Sequence, residues 1–118
     1  MRAEKYLNVA EIIGSPSALT QEQGKIVCDK IIKEIGKNNI VLLDFGKMES
    51  MTAPFLSSSI GSLYKRYPEE KIKAQLEIEN FPEEKIDILD LAIANAKKYY
   101  NNPILFDSKV QEIIYSQF

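Results

Sequence analysis

Four consecutive apolar residues, Ile40-Val41-Leu42-Leu43, lead into Asp44 and Phe45 between Asn38-Asn39 and Gly46. The run is too short for a core helix and rich in β-branched side chains, so it reads as a strand covered on both faces. Upstream, Tyr6 to Ile13 is rich in β-formers and is followed by Gly14-Ser15-Pro16-Ser17, which predicts a first strand closed by a turn. A helix is predicted between the two. Thr20 and Gln23 have the spacing of a capping box, and Val27, Cys28, Ile31 and Ile35 recur at helical intervals until Gly36 supplies a stop.

Beyond the central strand, Thr52-Ala53-Pro54-Phe55 opens a second helix, with Leu56, Ile60, Leu63 and Tyr67 on one stripe and Pro68 at its end. From Lys71 to Glu79 the chain alternates: Ile72, Ala74, Leu76 and Ile78 fall on one face and charged or polar residues on the other. That pattern predicts a strand with one wet face. A third helix is predicted from Pro82 to about Tyr100, with Glu83 and Glu84 complementing its dipole. Ile86, Leu89, Ile93, Ala96 and Tyr100 form its packing stripe. Ile104-Leu105-Phe106 fits a further short strand, and Ser108 with Gln111 another capping box ahead of Val110, Ile113 and Ile114. Strand and helix alternate, so the expected fold is α/β: a small, mainly parallel or mixed sheet flanked by about three to four helices. The strand Lys71–Glu79 should lie parallel to Ile40–Phe45 through a right-handed crossover.

The length of 118 residues suits a single domain over 1–118, with 101–118 as a C-terminal extension. Fifteen basic against 17 acidic side chains give a net charge of -2, which offers no general attraction for nucleic acid or anionic membrane. Cys28 is the only cysteine, so no intramolecular disulfide is available and a reducing compartment fits. Neither a signal-peptide pattern nor a run of ~20 apolar residues occurs, so the expectation is a soluble cytoplasmic protein.

The chemical inventory is thin. Without histidine, neither a Ser-His-Asp nor a Cys-His arrangement nor a histidine metal site can be built from this chain. The acidic residues lack calcium-loop spacing, and the glycines at 14, 24, 36, 46 and 61 form neither a dinucleotide fingerprint nor a P-loop. No catalytic residue, metal ligand or cofactor is therefore assigned, and the chain is read as a non-enzyme. Cys28 lies on the apolar stripe of its helix and reads as a packed small hydrophobe. Asp44 reads as an acceptor for N–H groups of the turn after its strand. Of Ser57-Ser58-Ser59, Ser59 should lie nearest the core stripe. Glu69-Glu70-Lys71 and Glu83-Glu84-Lys85 read as solvated charges at element boundaries.

Three segments taken in order, Thr20-Gln21-Glu22-Gln23-Gly24, Val41-Leu42-Leu43-Asp44-Phe45 and Met51-Thr52-Ala53-Pro54-Phe55, resemble the STAS-like domain family of unknown function, relatives of the anti-sigma factor antagonists. The resemblance spans about residues 5 to 100. It implies a regulatory surface at the helix start, where the better-known antagonists carry a serine phosphorylated by an ATPase-fold anti-sigma kinase. Ala53 stands at that acceptor position and has no hydroxyl, which leaves Thr52 as the candidate phosphoacceptor. Thr52 has an alternative role as a helix cap.

The leading expectation is a noncatalytic regulatory domain that binds a protein partner through Met51, Thr52, Phe55 and Ser58, with Phe55 partly exposed. The resemblance implies a partner of the anti-sigma or histidine-kinase-like ATPase class. The alternative is a small-molecule or nucleotide sensor using a strand-end crevice with Asp44 and Thr52, since open α/β sheets place ligands there.

Overall fold

A computed structural model describes residues 2–100. Its main sheet has three parallel strands in the order β1 (Glu4–Asn8), β3 (Ile40–Asp44), β5 (Leu76–Glu79). A second, two-stranded parallel sheet joins β2 (Ser17–Ala18) to β4 (Ser50–Met51). The helices are α1 (Val9–Ile13), α2 (Gln21–Gly36), α3 (Ala53–Leu56), α4 (Leu63–Arg66), α5 (Glu69–Gln75) and α6 (Ile86–Tyr100). A π-helical turn, Ser57–Gly61, links α3 to α4 so that 53–66 forms one composite helix. This composite helix packs against both α2 and α6.

The α/β class, the central strand and its parallel neighbours agree with the sequence pattern, and the Thr20–Gln23 capping box forms in both directions. The expected strand Tyr6–Ile13 is cut at Asn8. Its side chain accepts from Glu11 N–H at 3.1 Å, capping α1, and Gly14 closes that helix at φ 70°. Local capping at both ends thus overrides the β-propensity of Val9, Ile12 and Ile13.

Lys71–Glu79 is likewise not one strand. Pro68 caps a helix with Glu69 and Glu70 in its first turn, and strand geometry begins only at Leu76. The buried pair in α5 is therefore Ile72 and Gln75, at helical spacing, while Ala74 is exposed. Gln75, 1% exposed, is satisfied by donating to the Asn39 carbonyl at 3.0 Å and accepting from Lys71 at 2.8 Å.

The central strand is fully covered on one face only. Val41 and Leu43 are buried, but Leu42 is half-buried, and in its row Tyr6 is 56% exposed and Glu77 is exposed. The apolar run reflects that one-sided core with partial cover opposite. Gly36 remains helical, and the left-handed residue after α2 is Asn38 at φ 64°. Pro82 precedes a 3-10 turn, Glu83–Lys85, so α6 proper starts at Ile86.

The buried stripe of α6 centres on Leu89, Ala92 and Ala96, leaving Ile86 exposed. Gly61 explains the shift toward small residues. A Cβ at Gly61 would stand 3.5 Å from the Ala96 Cβ and 3.6 Å from the Ala92 carbonyl, so the helices approach where both carry little bulk. The strand and helix expected within 104–118 lie outside the described residues.

Candidate functional site

Two helix starts are held side by side. The pairing of β2 with β4 sets Ala18 opposite Met51, and each strand leads into a threonine cap, Thr20 for α2 and Thr52 for α3. Thr52 fastens the two together. Its N–H donates to the Ala18 carbonyl at 3.1 Å, its hydroxyl donates to the Leu19 carbonyl at 2.9 Å, and its Oγ1 accepts from Phe55 N–H at 3.3 Å. The hydroxyl proposed as a phosphoacceptor is thus engaged in both roles by the fold.

The surface expected here differs in its members. Met51 is 4% exposed because the β2–β4 pairing turns it inward, and Phe55 is 0% exposed because the first turn of α3 faces the core. Neither can present its side chain to a partner. Thr52 is half-buried, and the residues that reach solvent beside it are Ala53, Pro54 and Ser57. Next to them lies an apolar depression of about 290 Å³ between the composite helix and α6, formed with Ile88, Leu91 and Ala92. Leu91 is 61% exposed. Sequence reasoning passed over Leu91 although a signal was present: Ile86, Ile88, Leu89, Leu91 and Ile93 together exceed one helical stripe.

Ser58 faces α2 instead. Its hydroxyl donates to the Gln21 carbonyl at 2.8 Å where α2 crosses at Gly24, and it borders a groove of about 610 Å³ between those helices. Ser59 is fully buried, as its position relative to the stripe predicts, and donates to the Phe55 carbonyl at 2.8 Å. Ser62 donates to the Ser57 carbonyl at 3.3 Å. A π turn interrupts the regular hydrogen-bond ladder, and the Ser59 and Ser62 hydroxyls supply donors to carbonyls at and just before it.

Asp44 belongs to a third cluster, at the carboxyl end of β3. It accepts from Gly46 N–H at 2.8 Å and from Asn80 at 2.9 Å, and Tyr6 donates its hydroxyl to the other carboxylate oxygen. These bonds, Tyr6 first, hold the Asp44 carboxyl below its ordinary value. The loop-acceptor reading of Asp44 is met by Gly46. Among the described residues Asp44 and Thr52 share no hydrogen-bond partner, and neither lines the two cavities described above.

Cys28 is 5% exposed, and burial pushes its thiol up to about 11. It is therefore a neutral packed group at neutral pH, not a thiolate nucleophile. No group of three or more His, Cys, Asp or Glu among the described residues is placed to hold a metal ion. No helix among them is long and apolar enough to cross a membrane.

The family model for the STAS-like domain of unknown function (DUF4325) matches residues 23–87. The chain belongs to that family. The matched span of this STAS-like domain runs from the first turn of α2 to the start of α6 and contains the whole composite helix, while Ile88, Leu91 and Ala92 of the apolar depression lie beyond it. It is narrower than the 5–100 suggested by the sequence motifs. Comparison with curated proteins and with solved structures gives no match.

Proposed function

We propose that this STAS-like domain is a noncatalytic regulatory module that binds a protein partner at the start of the composite helix. The observation that carries the reading is the apolar depression at Ala53, Ser57, Ile88, Leu91 and Ala92, beside the Thr52 cap. It is shallow, and its exposed Leu91 provides the apolar anchor around which protein contacts concentrate their energy. Leu19, 49% exposed, is tied to the Thr52 cap through its carbonyl.

The partner class follows from the resemblance to the anti-sigma factor antagonists: a histidine-kinase-like ATPase, whose availability this domain would regulate. With alanine at position 53, docking itself is the regulatory event, without a serine phosphate at that position. The test is to capture interactors with the native chain, identify them by mass spectrometry, and repeat the capture with Leu91→Asp. Loss of one ATPase-fold protein from the variant supports the proposal. Unchanged recovery by a folded variant overturns it.

A further inference from the structure

Strand β5 is an edge of the main sheet, paired on one side only, with β3, among the described residues. The Glu79 carbonyl accepts from Phe45 N–H at 3.0 Å, so Glu79 and, by the alternation of a strand, Glu77 turn their backbone groups toward β3. The N–H and carbonyl of Ile78 then point away from the sheet and have no partner among the described residues. An edge of this kind is a template for a further strand.

The side chains of the edge decide which strand fits. Glu77 and Glu79 lie on the open face, in the rows of Leu42 and Asp44, and neither has an ion pair among the described residues. The lysines nearest in sequence before them are committed elsewhere: Lys73 pairs with Glu69 at 3.3 Å, and Lys71 donates to Gln75 at 2.8 Å. Leu76 and Ile78 lie on the covered face and are half-buried, which leaves each with apolar surface for a neighbour. A strand beside β5 with basic residues at every second position sets cations across from both glutamates and apolar side chains beside Leu76 and Ile78. An antiparallel second copy of β5 would instead oppose glutamate to glutamate. Ile104-Leu105-Phe106 of this chain brings them no cation. The other edge, β1, carries Glu4 and Lys5 on opposite faces and favours neither sign.

We propose that the free edge of β5 binds an extended segment of a protein partner in which basic and apolar residues alternate. Main-chain bonds at Ile78 supply the attachment, and Glu77 with Glu79 the selection. The edge shares no residue with the depression at Leu91, so the proposal is independent of docking at the composite helix. The test titrates the full chain with a synthetic peptide alternating lysine and valine, followed by amide NMR. Comparison peptides carry glutamate in place of lysine, or the same side chains on an N-methylated backbone. The lysine–valine peptide should saturably shift the amides of Glu77, Ile78 and Glu79, most strongly that of Ile78, whose N–H gains a partner; the comparison peptides should not. Glu77→Gln/Glu79→Gln should weaken binding at least about fivefold, whereas Glu83→Gln/Glu84→Gln, an equal change of charge at exposed positions, should leave it unchanged. Thermal midpoints show that both variants are folded, and Leu91→Asp should bind the peptide as the native chain does. Absence of saturable shifts at millimolar peptide, equal weakening by the two double variants, or equal binding of the N-methylated peptide would overturn the proposal. Ile78 shifts that grow with protein concentration in the absence of peptide would give the edge to a second copy, and protection of its N–H from exchange in the dilute free chain would give it to residues 104–106. Either result overturns the choice of partner.

Discussion

Gly24 and Ser58 meet where α2 crosses the π turn: a Cβ on Gly24 would stand 1.9 Å from the Ser58 Oγ and 2.7 Å from the Phe55 carbonyl. Ser58 at the same point donates to Gln21. A glycine within a helix ordinarily costs up to ~1 kcal/mol against alanine, and the close approach accounts for Gly24 in the first turn of α2. Gly24→Ala should destabilise by about 1–3 kcal/mol through overpacking. Gly36→Ala is the control, with nothing within 4 Å and no positive φ, and should stabilise by about 0.4–1 kcal/mol. Urea unfolding of the two variants checks this; shifts of the same sign would contradict the crossing geometry.

Leu43 is fully buried on the covered face of β3. Leu43→Asp places an unpaired carboxylate there and should cost roughly 3–5 kcal/mol. Tyr6→Phe on the open face should cost much less, since it removes an exposed hydroxyl that donates to Asp44 and accepts from Asn8. Comparable losses would indicate that the two faces are misassigned.

The carboxyl of Asp44 is held low by Tyr6, Asn80 and Gly46, so its ionised form is favoured in the folded state. A lowered folded value contributes stability that is complete above the unfolded value of about 3.9 and is lost as pH falls through the folded value. Glu34, held low by Asn39, and Glu69, held low by Lys97 and Lys73, act in the same direction. Thermal unfolding should show Asp44→Asn closer to wild type at pH 3 than at pH 7. A gap that widens on acidification would reverse the assigned sign.

Cys28 should resist iodoacetamide at pH 7.5 in the folded chain and react promptly in urea, because its thiol is buried and raised to about 11. Mass spectrometry of the alkylated protein gives the comparison. Rapid folded-state labelling would show that the thiol is exposed and reactive.

What could be read in the sequence followed the strength of each local signal. Ile40–Asp44 and α2 were legible because an apolar run and a complete capping box agree with the tertiary structure. Asn8 and Glu11 carried a capping spacing too, yet the β-rich side chains around them pointed to a strand, and the cap prevailed. In Lys71–Glu79 a period of two coincided with residues that also satisfy a helix, and the Pro68-Glu69-Glu70 start was the stronger signal. The helix start at Thr52 was legible as a capped helix start, but its inward and outward faces were not. Pairing of Met51 with Ala18 depends on residues distant in sequence, and it turns Met51 toward the core; Phe55 is buried by the first turn of α3. The exposed role then passes to Ala53, Ser57 and Leu91.

Thr52 makes the helix start sensitive to substitution in a way that separates folding from docking. Thr52→Ser keeps a hydroxyl able to bond Leu19 and Phe55 and should retain stability, whereas Thr52→Ala should lose about 1 kcal/mol with the cap. Ala53→Ser, at an exposed first-turn position, should fold and bind as the native chain does. Thermal unfolding of the three variants separates the cap from the surface; equal stability of Thr52→Ala and Thr52→Ser would remove the capping role.

The protein-docking account rests most directly on Leu91, the exposed apolar side chain beside the capped helix start. The decisive measurement is the affinity of the captured partner, purified separately, for the native chain and for Leu91→Asp, with unfolding midpoints recorded alongside. The account predicts an unchanged midpoint and a binding loss of at least ~1 kcal/mol, about fivefold in Kd. Equal affinity in the two folded chains would contradict it.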